Sequence, residues 1–174
     1  MQYYIRGMEF DANRYSKEIA EILSLCENGH RLMPLTRGEP ISAEARDRIR
    51  QAERRRTIMP AVASGLYLYF DCWAEAHETA QDIVTAEGSF WHAIVHRREP
   101  DPGNAGYWFG RVGNHPIFPA LRDAAAALGV NFGPRWNPMA FVDFCERAIG
   151  GELEQQAREV QRAEWQLLFD SCAR

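Results

Sequence analysis

The chain has 174 residues, 46 % of them hydrophobic and 25 % charged, which suits one soluble domain with a sizeable core. Its formal net charge of −4 argues against a general nucleic-acid binder, since such proteins carry a basic footprint. No stretch approaches the ~18 consecutive apolar residues of a membrane span, and Arg6 and Glu9 interrupt Met1–Phe10 before a signal-peptide core can form, so the expected location is the cytoplasm.

Helical periodicity runs through almost the whole chain; only Gln2–Ile5 alternates with period two. Tyr15, Ile19, Ile22, Leu23 and Cys26 share one face of a first helix, which Gly29 stops. A loop over 30–41 follows. Ser42 caps a mostly charged helix, Ala43 to Arg56, whose only large apolar residue is Ile49. Pro60 suits the first turn of a long helix to about Ala86. Leu66, Phe70, Trp73, His77, Ala80 and Val84 form its buried stripe, and Asp71, Glu75, Glu78 and Asp82 form a solvated face. Gly88 and Ser89 end that helix and cap the next, Phe90 to about Arg98.

Pro100, Pro102 and Gly103 break the chain, and Asp101 or Asn104 caps a short helix closed by Gly113. Further helices run from Pro119 to Gly129, from the strong start signal Asn137-Pro138 to Gly150, and through Leu153, Ala157, Val160, Leu167 and Leu168. The four cysteines, Cys26, Cys72, Cys145 and Cys172, form no C-x-x-C pair and read as small buried thiols. The expected fold is a single all-α domain over 1–174. It has about six to eight helices, a central hairpin of about 60–86 against 89–98, and irregular loops at 30–41, 99–104 and 129–137.

The chemistry gathers in Gly88–Pro116, which holds His92, His96 and His115. Histidines four apart lie on one helix face, with Cβ atoms about 5–6 Å apart, and can share a metal ion. Ala93, Ile94 and Val95 separate them, so the metalloprotease motif, which has a glutamate there, is absent. In an antiparallel hairpin with its turn near 86–87, His77 comes level with His96. Buried imidazoles need partners, and a metal shared by His77, His92 and His96, with His115 as a fourth ligand, supplies one. Nitrogen and oxygen ligands of this kind suit zinc, manganese, iron or nickel. Glu99 or Asp101 then serves as general base. Arg98 and Arg111, with Asn104 and Tyr107, hold a small anionic substrate through guanidinium forks.

This first reading is a metal-dependent enzyme of hydrolase type. The second is a metal-free binding protein for a carboxylate, phosphate or sugar, using the same pocket. The third is a polyanion- or protein-interaction module acting through the arginine-rich helix 43–56.

The stretch FWHAIVHRREPDPGNAGYWFGRVGNHPIF, Phe90 to Phe118, resembles the signature block of a family of bacterial and fungal hypothetical proteins. That block reads W-H-x-I-x-H-R-R-E-P-D, then N-A-x-Y-W, then R-V-G-x-H-P, with His77 a further match. The resemblance implies kinship and carries no activity with it.

Overall fold

A computed structural model describes Asp11 and Arg14–Ala173; the alternation at Gln2–Ile5 lies outside the described residues. Among the described residues the architecture is all-α. Nine helices follow one another: α1 Lys17–Leu23, α2 Ala43–Arg55, α3 Pro60–Tyr69, α4 Trp73–Gln81, α5 Ala86–Arg98, α6 Pro102–Val112, α7 Phe118–Ala127, α8 Pro138–Ala148 and α9 Glu154–Cys172. No helix is long and apolar enough to cross a membrane.

Local chemistry starts and stops most of these elements. The Ser42 hydroxyl accepts from the Ala45 N–H at 3.0 Å, and the Asn137 side chain accepts from the Met139 and Ala140 N–H groups at 3.1 Å. Gly129 and Gly150, at φ 82° and 72°, take the left-handed turns that end α7 and α8. The middle of the molecule is α5, buried on every side from Gly88 to Arg98. Helices α3, α4 and α6 pack directly on it. Helix α9 closes the far side against α3, α7 and α8. Cys72 and Cys145 are buried as expected, with their thiol pKa values pushed up to about 12, chiefly by burial, whereas Cys26 and Cys172 are only partly buried.

The helix expected over 60–86 is two helices, which lifts the count to nine. Phe70–Cys72 breaks it with neither glycine nor proline. Asp71 instead adopts the left-handed conformation at φ 55°, its carboxylate gripped by Arg31 and Arg98. Arg31 also donates to the Tyr69 carbonyl, and the Ile41 N–H donates to that of Phe70 at 3.1 Å. Asp71 is therefore buried, not on a solvated face, and Val84, expected in the buried stripe, is 94 % exposed on the following turn.

That turn also sits earlier than expected. Thr85 caps α5, its hydroxyl accepting from the Gly88 N–H at 3.5 Å, so Gly88 and Ser89 lie inside the helix. Glycine is required at 88 because a Cβ there would collide with the Ile83 carbonyl oxygen. Position 88 therefore keeps α4 and α5 close together.

Two arginines at the end of α5 are structural. Arg97 forks onto Glu164 of α9, with Nη1 to Oε1 at 3.1 Å and Nη2 to Oε2 at 2.5 Å, and lies 4.5 Å over the Phe141 ring. Arg98 pairs with Asp71 and donates to the Leu68 carbonyl at 3.0 Å. Removing one partner of such a buried pair strands a charge in the core, at a cost of about 3–5 kcal/mol.

Candidate metal centre

His92 and His96 stand one turn apart on α5, their rings stacked at 4.9 Å and 12°. Helix α4 runs antiparallel beside them and inserts His77. Its ring is nearly perpendicular to both, at 80° to His92 and 86° to His96. The short Asp82–Thr85 turn moves the register, so that His77 faces both α5 histidines instead of His96 alone. Nε2 of His77 and Nε2 of His92 are 3.1 Å apart, and one nitrogen from each of the three rings falls within 4.8 Å of the others. Two nitrogens bound to one zinc at 2.0–2.1 Å lie roughly 3.3 Å apart. The His77–His92 pair already has that spacing, and a His96 nitrogen lies within 4.8 Å of both.

The surroundings favour neutral rings. His92 is buried, and its pKa is pushed down to about 4 by burial first and then by His77 and His96. His77 is lowered by burial and by His96, with Glu99 opposing. A neutral imidazole offers the lone pair that a metal needs, so protons would compete weakly with a metal for His77 and His92 near neutral pH. The Nδ1 atoms of His92 and His96 are buried without hydrogen-bond partners. Glu99 brings its Oε2 to 3.4 Å from His96 Nδ1, where a carboxylate can orient a ligating ring.

Other site candidates divide sharply. Glu99 lies at the cluster, half-buried. Asp101 is the N-cap of α6: its Oδ1 accepts from the Asn104 N–H at 3.1 Å and its Oδ2 from Asn104 Nδ2 at 2.6 Å, so both residues are engaged with each other. Tyr107 is exposed, with Arg111 5.9 Å above its ring. Arg98 corrects the expectation of a substrate contact, because it is sealed against Asp71 inside the protein. His115 is not brought into the cluster. It is buried against Phe90 and Phe118, 3.7 Å from Glu87, and its Nδ1 accepts from the Ile117 N–H at 3.4 Å. Burial lowers its pKa, against Glu87. The Phe90 side of α5 differs from the His92 side, which is why His115 ends apart from the other three.

Three residues join the site that the pattern of histidines did not single out. Trp73 stacks on His77 at 5.2 Å and 23°, and Trp108 stacks on His92 at 4.0 Å and 17°. Arg37 lies 4.4 Å over Trp73. Trp73 precedes His77 by four positions, a spacing that forecasts stacking on a helix. Arg37 comes from an irregular loop, and only the fold brings it here.

No family model, curated protein or solved structure matches the chain. The geometry of the site itself is what bears on function.

Proposed function

We propose that this protein is a metal-dependent enzyme of hydrolase type, acting on a small anionic substrate, with His77, His92 and His96 as the ligands of a divalent zinc, manganese, iron or nickel ion. The observation that carries this reading is the convergence of three nitrogens, from two helices, within 4.8 Å of one another. Three protein ligands leave a coordination position open, the arrangement of catalytic rather than structural sites. An ion held there acidifies water and polarises a substrate oxygen. Glu99 is the carboxylate placed to take the proton from the attacking water and return it to the leaving group. Arg111, fixed over Trp108 at 5.4 Å, supplies a donor fork for the anionic part of the substrate. The proposed location remains the cytoplasm.

The metal-free pocket has one observation in its favour: the 3.1 Å contact between His77 and His92 is also the length of an N–H···N hydrogen bond. The polyanion reading has less. On α2, Arg48 pairs with Glu44 at 2.8 Å, Arg50 with Glu75 at 3.0 Å and Arg55 with Glu18 at 2.5 Å, so much of its positive charge is matched by acids.

The deciding experiment is elemental analysis of the untagged protein by mass spectrometry, beside the His92→Ala/His96→Ala double variant. Near-stoichiometric metal in the wild type, lost in the variant, is the expected result. Full retention in the variant sinks the assignment. Absence from both, even after incubation with each of the four metals, favours the metal-free pocket.

A further inference from the structure

Two arginines hold the same station on either arm of the histidine cluster. Arg37 lies 4.4 Å over Trp73, which stacks on His77. Arg111 lies 5.4 Å over Trp108, which stacks on His92. Both are exposed, and neither forms an ion pair among the described residues. A guanidinium held over an indole face by cation–π attraction can still fork its N–H groups onto a carboxylate or phosphate. The ring beneath fixes where that fork sits and limits the side-chain entropy lost on binding.

The two arms are separate stacks. Each starts from a different ring of the cluster. His77 is set at 80° to His92, so the planes of the Trp73–His77 pair are steeply inclined to those of the Trp108–His92 pair. Four aromatic rings, those of Trp73, His77, His92 and Trp108, link the two guanidiniums in one chain of pairwise contacts. Each fork therefore has its own aromatic seat, tied to a different histidine.

We infer that the centre takes a substrate bearing two separated anionic groups, carboxylate or phosphate, one held by Arg37 and the other by Arg111, with the metal centre between them. This rests on the metal-centre reading and adds a substrate class to it.

The test uses the zinc-loaded full chain and linear α,ω-dicarboxylates of increasing length, each against the monocarboxylate of equal length. A parallel series sets α,ω-bisphosphonates against monophosphonates, which separates the two anion chemistries. Binding is read by calorimetry, and zinc content is measured on the same samples. The expected result is a chain length at which the doubly charged member of either series binds at least tenfold tighter. Arg37→Gln and Arg111→Gln should each bring it to the affinity of the singly charged one, at unchanged zinc content. Equal affinities at every length in both series overturn the inference, as does an Arg37→Gln variant that keeps the preference. A wild type that takes up no zinc overturns the metal centre and this inference together. A zinc-loaded protein with no such preference overturns the two-ended substrate alone.

Discussion

At the scale of single residues, His92 has the most informative environment. Its folded pKa of about 4 lies below the ordinary value of 6.5, so the folded state binds fewer protons than the unfolded chain as pH falls through that window. The stability it contributes is fully present above about pH 6.5 and drains away as pH drops toward 4. His77 is shifted in the same direction and adds to the effect. Metal-free protein should accordingly lose on the order of 3 kcal/mol between pH 7 and 4 from His92 alone, beyond what its carboxylates account for. Urea titrations across that range, compared with His92→Gln, measure it. A variant whose stability falls as steeply as the wild type's would show that burial of this ring does not set the titration. Several site residues were legible from type and spacing alone, notably the i, i+4 pair His92 and His96 with Glu99 three positions on. Arg98 was not legible: beside the histidines it reads as a guanidinium fork for an anionic substrate, and only Asp71, 27 positions earlier in the chain, turns it inward.

At the scale of elements, caps and stops were legible where one residue carries the physics. Ser42, Asn137-Pro138 and Gly129 each fix a helix end by their own side chain or their own freedom at positive φ. The break at Phe70–Cys72 was hidden because it depends on partners distant in sequence: Arg31 and Arg98 together stabilise Asp71 in a conformation that residue rarely adopts. The start of α5 was hidden differently. Thr85 with Glu87 in the first turn is a sound start signal, but Gly88 competed with it as a breaker. These two points control the centre. One sets where α4 begins, the other how closely α4 approaches α5, and together they decide whether His77 meets His92. Gly88→Ala should push the Ile83 carbonyl away and open the turn. The expected result is a loss of about 1–3 kcal/mol in stability and at least a tenfold weaker zinc affinity. Gly110→Ala is the control, because its added Cβ meets nothing within 4 Å. Equal zinc affinity in the two variants would separate the α4–α5 turn from the site.

At the scale of the whole molecule, the three clustered histidines belong to a hairpin that the rest of the fold holds shut. Asp71–Arg98 ties the α3–α4 kink to the end of α5, and Arg97–Glu164 ties α5 to α9. Only the folded chain keeps His77 beside His92 and His96, since in the unfolded chain the α5 pair alone remains near neighbours. An ion that needs all three rings therefore binds the native state and is largely excluded from the denatured one. By mass action, zinc at a hundred times its dissociation constant adds about 2.7 kcal/mol to stability. In a domain of this size each kcal/mol moves the midpoint by about 2–4 °C, so zinc should raise Tm by roughly 5–11 °C. His77→Ala should abolish most of that rise. Glu164→Gln should lower the starting Tm by leaving Arg97 without its ion-pair partner, yet keep the rise, because Arg97, although next to His96 in the chain, reaches Glu164 of α9 and Phe141 of α8 instead of the histidines. Scanning calorimetry of the three proteins with and without zinc tells a ligand from a residue that merely holds the fold. If His77→Ala and Glu164→Gln lose the zinc response equally, the response reports general stability, and the three-histidine centre fails as its explanation.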